Sequence, residues 1–190
     1  MKRSIVIIVT GNPGVGKTTL AKKLAKALSL PMIGKDQIKE VLFDDLGFSD
    51  REWALKMNKP SYSILKFLTE QFTICGASFI IESNFIPHFE NDFFQRLQRE
   101  NDIFYIQILC VADMEIILDR FQKRVVSGER HPGHADHLSE NIDKLKERIE
   151  SKSHTFLEIN GEKIEIDLND FSKIDHDKFF MDIKKLLEKN

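Results

Sequence analysis

Continuous apolar runs alternate along the chain with segments of helical periodicity. The run from Ile5 to Val9 is rich in β-branched residues, which is typical of a strand buried on both faces of a parallel sheet. Residues 79–81 and 103–111 carry similar runs, and residues 32–34 form a short extended piece. Leucines spaced four apart over residues 20–28 lie among lysines, so this segment is predicted to be an amphipathic helix.

The same periodicity predicts further helices. They cover residues 37–46, 50–74 in two pieces interrupted at Pro60, the segment bearing Phe89 to Leu97, 114–126, about 138–151, and the carboxyl end. Ile164, Ile166 and Leu168 alternate with polar residues and predict a half-exposed strand. Asn160-Gly161 predicts a turn that folds residues 156–159 back against this strand as a hairpin. Strands that alternate with helices in this way predict a three-layer α/β/α fold with a mostly parallel five-stranded sheet.

A phosphate-binding loop is predicted between the first strand and the first helix. Gly11-Asn12-Pro13-Gly14-Val15-Gly16-Lys17-Thr18 fits the pattern G-x-x-x-x-G-K-[ST]. In such a loop the glycines let backbone N–H groups surround a phosphate, the lysine reaches the β- and γ-phosphates, and the hydroxyl of Thr18 can ligate Mg²⁺. The loop residues together with Thr19 are therefore predicted to bind a nucleoside triphosphate within a P-loop nucleoside triphosphate hydrolase fold.

Composition and other motifs narrow the classes of P-loop protein. A signalling GTPase needs Asn-Lys-x-Asp to select guanine, but Asn58-Lys59 is followed by Pro60-Ser61. The chain has 190 residues, which leaves little room for a mechanical ATPase. Its formal net charge of -2 is unlike the basic footprint of nucleic-acid binders. Cys75 and Cys110 are not closely spaced, which argues against a disulfide scaffold. Small phosphotransferases remain.

The chain resembles the P-loop kinases grouped with polynucleotide kinase, zeta-toxin and chloramphenicol phosphotransferase, especially the bacterial kinases of the AAA_33 type. The resemblance spans about residues 5–140 and rests on four stretches, which are Gly11 to Thr18, Gly34 to Glu40, Ile80 to Phe85, and Arg120 to His134. The first stretch is common to many activities, and only the combination is diagnostic. The resemblance implies ATP as the phosphoryl donor and a helical lid at about 120–140. The length of the chain predicts a single domain spanning 1–190.

Two residues after the second strand are candidates for acceptor chemistry. Asp36 lies 19 residues after Lys17 at the start of a predicted helix. The resemblance implies that it accepts the proton of the attacking hydroxyl, and the alternative is that it caps a helix beginning at Gln37. Lys39 takes the place where polynucleotide kinases carry an arginine that grips the acceptor's phosphate. The alternative for Lys39 is an exposed helix lysine.

Polar residues also follow the apolar run at 79–81. Glu82 stands at a strand end, where a carboxylate can hold a Mg²⁺-bound water in the manner of a Walker B acid. Asn84 is a candidate for acceptor binding, although turn formation explains it nearly as well.

A cluster of basic residues predicts the lid. Arg120, Arg124 and Arg130 gather around a helix that breaks at Gly128. We expect Arg124 and Arg130 to contact the transferred phosphoryl group and Arg120 to lie near the nucleotide base, whereas the alternative is a solvated basic helix face. Three histidines, His131, His134 and His137, recur here at three-residue intervals. A zinc site is disfavoured for them because no cysteine lies nearby, and the sequence assigns them no other role.

The sequence as a whole predicts an ATP- and Mg²⁺-dependent kinase that transfers the γ-phosphoryl group to a hydroxyl of a small-molecule acceptor. Lys17, Asp36, Arg124 and Arg130 are its predicted catalytic residues. Two alternatives stay open, namely a polynucleotide 5′-hydroxyl kinase and a nucleotide-binding regulator with slow hydrolysis. The amino-terminal apolar run is too short for a signal peptide and no segment approaches the length of a membrane span, so a cytoplasmic protein is expected. Neither the acceptor nor the oligomeric state follows from these patterns.

Overall fold

One parallel sheet organises the chain, for which the computed structural model describes residues 3–128, 130–135, 140–151 and 154–189. Its strands are β1 (Ser4–Gly11), β2 (Met32–Gly34), β3 (Phe79–Glu82), β4 (Ile103–Val111) and β5 (Gly161–Asp167). They lie in the order β2-β3-β1-β4-β5, and every pairing between them is parallel. The predicted α/β fold is therefore confirmed, with a sheet that is parallel throughout.

Helices cover both faces of this sheet. In the described part of the chain they are α1 (Lys17–Leu28), α2 (Lys35–Leu46), α3 (Arg51–Lys56), α4 (Asn58–Ile74), α5 (Pro87–Glu100), α6 (Met114–Ser127), α7 (Glu140–Glu150) and α8 (His176–Lys189). The break between α3 and α4 falls at Met57, and Pro60 lies in the first turn of α4, where its missing N–H has no helical partner to lose. None of these helices combines the length and apolar character needed to cross a membrane.

The central strand β1 shows why the sheet needs two layers of helices. All eight of its residues are buried, and successive side chains point to opposite faces. Ile5, Ile7 and Val9 pack in a core with α1, α6, α7 and α8, whereas Val6 and Ile8 pack in a second core with α4 and α5. A smaller cluster around Phe43 joins α2 to α3.

The predicted hairpin before β5 is wrong. Residues 156–159 form no strand, and β5 pairs in parallel with β4 instead. Side-chain amides take the place of a strand partner here: Gln107 exchanges two hydrogen bonds with the backbone of Leu157, and Gln98 does the same with Asn160. The backbone groups of the segment are thus satisfied by β4 and α5 rather than by β5.

Gly161 is required by its backbone geometry, and we expect Gly161→Ala to destabilise the fold. Gly161 has φ of 145°, and a Cβ there would lie 2.1 Å from the carbonyl oxygen of Tyr105 in β4. We expect the free energy of unfolding, measured by urea denaturation, to fall by about 2–3 kcal/mol. Gly47→Ala is the matched control, since Gly47 has φ of 78° but open space around its Cα, and we expect a loss of about 1 kcal/mol. Equal losses would contradict the importance of the Tyr105 contact.

Candidate active site

The phosphate loop lies where β1 ends and α1 begins. Gly14 and Gly16 have φ of 84° and 108°, in the left-handed region that favours glycine. A Cβ on Gly16 would also lie 2.6 Å from the ring of Phe171. Within the described chain, the amino terminus of α1 carries no side-chain cap, so its N–H groups and the positive end of its dipole are left for an anion.

Lys17, Thr18 and Glu82 form the floor of this site. The Thr18 hydroxyl donates to Glu82 Oε2 at 3.1 Å, and Lys17 Nζ lies 3.8 Å from Glu82 Oε1. Glu82 is buried at the end of β3, beside β1 and β2 in the sheet. Burial raises the pKa of Glu82, while Lys17 opposes that shift. A hydroxyl and a carboxylate oxygen at this spacing are the hard oxygen donors that fit Mg²⁺ or a water bound to it.

A single cavity of about 830 Å³ extends from the phosphate loop across the carboxyl ends of β2 and β3. It brings together most of the sequence-predicted site residues, namely Pro13, Gly14, Gly16, Lys17, Thr18, Thr19, Asp36, Lys39, Glu82, Asn84, Arg120, Arg124 and Arg130. Gly11, Asn12 and Val15 lie outside its described wall. The Val15 side chain is buried in the core, and the Asn12 carbonyl accepts a hydrogen bond from Lys17 Nζ at 3.3 Å.

Asp36 lies between two cations in the first turn of α2. Arg130 Nη2 donates to its Oδ2 at 2.6 Å, and Lys35 Nζ donates to its Oδ1 at 3.0 Å. Burial would raise the pKa of Asp36, but Lys35 and Arg130 outweigh it and hold that pKa well below its usual range. The alternative of an N-cap at Asp36 is wrong, because α2 already begins at Lys35 and the Gln37 side chain accepts from the Gly34 N–H.

Lys39 is buried, with 3% of its surface exposed, so the alternative of an exposed helix lysine is wrong. Its Nζ donates to Asn58 Oδ1 at 3.0 Å, an oxygen that also accepts from Lys35 at 3.1 Å. The ammonium lies 5.4 Å from the centre of the Phe43 ring. Burial lowers the pKa of Lys39 to about 7, and the neighbouring Lys35 cation adds to that shift.

Arg120 connects the phosphate loop to the loop after β5. It donates to the carbonyls of Val15 at 3.0 Å and Asn169 at 3.1 Å, and its guanidinium lies 5.3 Å from the centre of the Phe171 ring. Arg124 lines the same end of the cavity, one helical turn further along α6, with its guanidinium 5.2 Å from the ring of Phe121. Aromatic and guanidinium planes therefore flank the entrance to the phosphate loop.

The segment from Arg130 to Ala135 packs on α2. His134 is buried, and its Nε2 lies 3.0 Å from Glu40 Oε1, while His131 Nε2 lies 3.1 Å from Asp44 Oδ1. Each histidine thus has a protein partner, and the described residues contain no group of three or more His, Cys, Asp or Glu side chains that could hold a metal. His137 lies outside the described residues, as do positions 129 and 136–139 of the predicted lid.

At the far side of the cavity, Asn84 Oδ1 lies within 3.4 Å of the Tyr62 hydroxyl. Sequence reasoning assigned no role to several of the cavity's polar residues, namely Lys35, Glu40, Arg51, Asn58 and His134. Lys35 and Lys39 share a face of α2, but the helix predicted from the sequence began at residue 37, so this signal was lost. Arg51 of α3 and Asn58 of α4 are distant in sequence from Lys35 and Lys39, and no local pattern predicts that they line the same cavity.

The glycine-rich phosphate loop lies where the strand order reverses, and polar residues stand at the ends of the two neighbouring strands. This combination defines a P-loop protein with the fold of the small kinases. A profile of the AAA_33 family, described as an AAA domain, matches residues 6–151. The chain belongs to this family.

Known proteins support the same placement. A cytidylate kinase of Sulfurisphaera tokodaii is 32% identical over 173 residues, which are 90% of this chain and 83% of that protein. The crystal structure of a proposed kinase from Chloroflexus aurantiacus is 32% identical with a TM-score of 0.86, over 97% of this chain and 98% of that one. The shikimate kinase of Bacteroides thetaiotaomicron shares the fold at 18% identity, with a TM-score of 0.56 over 98% of each chain. Family and fold are thus those of P-loop kinases.

Proposed function

We propose that this protein is an ATP-dependent kinase that transfers the γ-phosphoryl group to a small acceptor carrying an anionic group. One observation carries the proposal: a single cavity joins the phosphate loop to a pocket around Asp36 that is lined by buried cations. Its volume of about 830 Å³ is that of a small-molecule site.

ATP would occupy the end formed by the phosphate loop and Arg120. Lys17 and the N–H groups of α1 would hold the phosphates, and the Phe171 ring beside Arg120 offers a flat surface for the base. Thr18 and Glu82 would hold Mg²⁺ or a water bound to it, and the ion would supply positive charge that neutralises part of the phosphate charge.

The charge of the cavity supports an anionic acceptor. Nine lysines and arginines but only three carboxylates, Asp36, Glu40 and Glu82, line it. ATP with its Mg²⁺ would balance only part of this excess, and Lys35, Lys39 and Arg51 lie toward α2, α3 and α4 rather than at the phosphate loop. Because these cations lie inside a cavity rather than along an exposed groove, a small acceptor is favoured over a polynucleotide end.

For a hydroxyl acceptor, Asp36 would orient the attacking oxygen and take its proton as the bond to phosphorus forms. A carboxylate held by two cations is a weak base, which suits a loose transition state in which little proton transfer is needed early. Arg130, already on Asp36, would contact the transferred group, and Arg124 would reach it from α6.

A phosphate acceptor, such as a nucleoside monophosphate, is the second candidate. An acceptor phosphate is already ionised and needs cations rather than a base, and Asp36 has its charge balanced by Lys35 and Arg130. The 32% identity to a cytidylate kinase favours the same chemistry.

A matched acceptor panel tests the proposal. ADP formation from ATP and Mg²⁺ is measured with three kinds of compound: neutral polyols, the same polyols bearing a phosphate or carboxylate, and nucleoside monophosphates. We expect stimulation by one of the two anionic groups and none by the neutral polyols. Stimulation by neutral polyols alone would exclude the anionic acceptor, and slow hydrolysis that no compound stimulates would favour a nucleotide-binding regulator.

Lys39 gives the acceptor site a pH dependence. With its pKa at about 7 in the free enzyme, Lys39 loses its charge as pH rises through neutrality, so kcat/KM for the anionic acceptor should fall by about tenfold above that pH. Lys39→Arg keeps the charge and should remove this decline. The ratio of the two enzymes cancels titration of the acceptor itself.

Lys39→Met should show the low kcat/KM for the anionic acceptor at every pH. Lys56→Met, at an exposed position of α3, should behave as wild type. A pH profile that is identical in the wild type and Lys39→Arg would contradict a role for Lys39 in acceptor binding.

A further inference from the structure

His134 bridges two residues of the cavity that come from different elements. Its Nε2 faces Glu40 Oε1 on α2 at 3.0 Å, and its Nδ1 faces Arg130 Nη2 at 3.0 Å. The same Arg130 nitrogen is 2.6 Å from Asp36 Oδ2. Asp36, Arg130, His134 and Glu40 therefore form one chain of hydrogen bonds that begins and ends on α2.

Hydrogen-bond chemistry fixes the state of the imidazole in this chain. The ionised carboxylate of Glu40 can only accept, so the proton lies on Nε2. The guanidinium of Arg130 can only donate, so Nδ1 is the acceptor. The neutral Nε2–H tautomer satisfies both neighbours, whereas an imidazolium would direct an N–H at the Arg130 guanidinium and lose that bond.

Close packing and a backbone hydrogen bond hold His134 in position. It is 3% exposed, and its ring lies edge-on to Phe43 with centroids 5.5 Å apart. A Cβ on the neighbouring Gly133 would lie 2.5 Å from the Phe43 ring, so only glycine permits this close approach. Arg51 of α3 donates to the His134 carbonyl at 3.4 Å.

Several charged groups act on the imidazole from the elements packed around it. They are Asp36, Lys39 and Glu40 on α2 and Arg130 on its own segment. Arg51 on α3 contacts the His134 carbonyl rather than its ring, and the His131 ring lies on the same segment, stacked on Phe43. Burial lowers the pKa of His134, the Glu40 hydrogen bond opposes that shift, and the Arg130 and Lys39 cations favour the neutral form. The neutral ring thus agrees with the hydrogen-bond geometry.

We propose that His134 is a positioning residue: in its neutral form it holds the Arg130 guanidinium on Asp36, and its protonation releases Arg130 from that position. This inference rests on the proposed function, in which Asp36 meets the acceptor and Arg130 meets the transferred group. His134 acts only through Arg130, without touching the reacting atoms, and makes turnover sensitive to acid.

The test compares pH profiles of kcat for variants that either keep or remove the hydrogen-bond acceptor that His134 offers to Arg130. In His134→Asn the amide oxygen can take the place of Nδ1 and accept from Arg130, without titrating. We expect kcat of the wild type to fall as pH drops below the ordinary histidine range, and kcat of His134→Asn to stay flat there and within about threefold of wild type at pH 8.

His134→Leu accepts no hydrogen bond and should lower kcat about tenfold at pH 8 while leaving KM for ATP unchanged. His131→Asn is the control, because the ring nitrogens of His131 bond to Asp44 and to the Gly133 N–H rather than to the Arg130 side chain. His131→Asn should show the same fall of kcat at low pH, the acid limb of the profile, as the wild type. An acid limb that persists in His134→Asn would assign it to another group, such as buried Glu82, and overturn the proposal.

Nitrogen-15 NMR of the wild-type protein labelled at both histidine and arginine provides a readout that is independent of turnover and of the folding of any variant. We expect the His134 nitrogens to report the Nε2–H tautomer at neutral pH, and its protonation to shift the Arg130 side-chain resonance. Three results would overturn the proposal: the Nδ1–H tautomer, an imidazolium at neutral pH, or an Arg130 signal that does not change when His134 is protonated. If no acceptor is ever phosphorylated, the proposed function fails, and this measurement still decides whether His134 positions Arg130.

Discussion

Lys17→Met is expected to abolish measurable phosphoryl transfer, with a loss of about 10³-fold or more in kcat/KM. Lys17 is the cation at the floor of the cavity, 3.8 Å from Glu82 and bonded to the Asn12 carbonyl. Its burial lowers its pKa, while Glu82 and Asp36 oppose that shift and favour the charged form. Methionine matches the length of the lysine stem but supplies no charge for the γ-phosphate as negative charge develops on it.

Steady-state transfer and calorimetric ATP titration would both register the change in Lys17→Met, because lysine serves binding as well as turnover. Lys26→Met is the matched control, since Lys26 lies exposed in the last turn of the same helix. A thermal unfolding curve should accompany both variants, because methionine leaves the buried Glu82 without its cation. Transfer by Lys17→Met within tenfold of wild type would contradict the phosphate-loop assignment.

With a hydroxyl acceptor, Asp36→Asn is expected to lower kcat by about 100-fold or more while leaving ATP affinity within about threefold. The amide has the shape of the carboxylate, but it cannot accept a proton or balance the charges of Lys35 and Arg130. The binding of an anionic acceptor should be maintained or tightened, because two cations gain freedom to meet it. Separate kcat and KM values, together with direct ATP binding, distinguish this pattern from a general loss of structure.

Asp45→Asn, an exposed substitution on the same helix, should leave every parameter unchanged. An Asp36→Asn enzyme with full activity would remove Asp36 from the mechanism. If Asp36→Asn lost ATP binding together with turnover, Asp36 would instead be needed for the integrity of the phosphate site.

The regular part of the fold was predictable from the sequence because its signals are local. β1 is a run of β-branched residues, and its two-sided burial follows from that run once helices are known to flank it. The phosphate loop is encoded in eight consecutive residues, of which Gly14 and Gly16 must adopt left-handed backbone conformations. The pairing of β5 with β4 had no local signal, because an alternating pattern predicts a strand but not the neighbour with which it pairs.

The acceptor side of the site depends on contacts between distant segments, which no local pattern encodes. Lys39 stayed open between acceptor binding and an exposed helix lysine, because its neighbours in sequence do not reveal that Asn58 and Phe43 enclose it. A helix cap stayed open as the alternative for Asp36, since only the structure shows Lys35 and Arg130 on either side of it. His134 had no assigned role for the same reason: both of its ring partners were within reach only after the segment packed on α2.

The fate of the γ-phosphate tests the central claim most directly. The enzyme is mixed with ATP labelled in its γ-phosphate, Mg²⁺ and the acceptor that the panel identifies, the reaction is quenched over the first turnovers, and the label is divided between the acceptor and inorganic phosphate. We predict one labelled acceptor for each ADP formed in the wild type and, where the acceptor group is a hydroxyl, no labelled acceptor above background in Asp36→Asn. Label that appears only as inorganic phosphate, at a rate unaffected by the acceptor, would contradict a kinase built on this cavity.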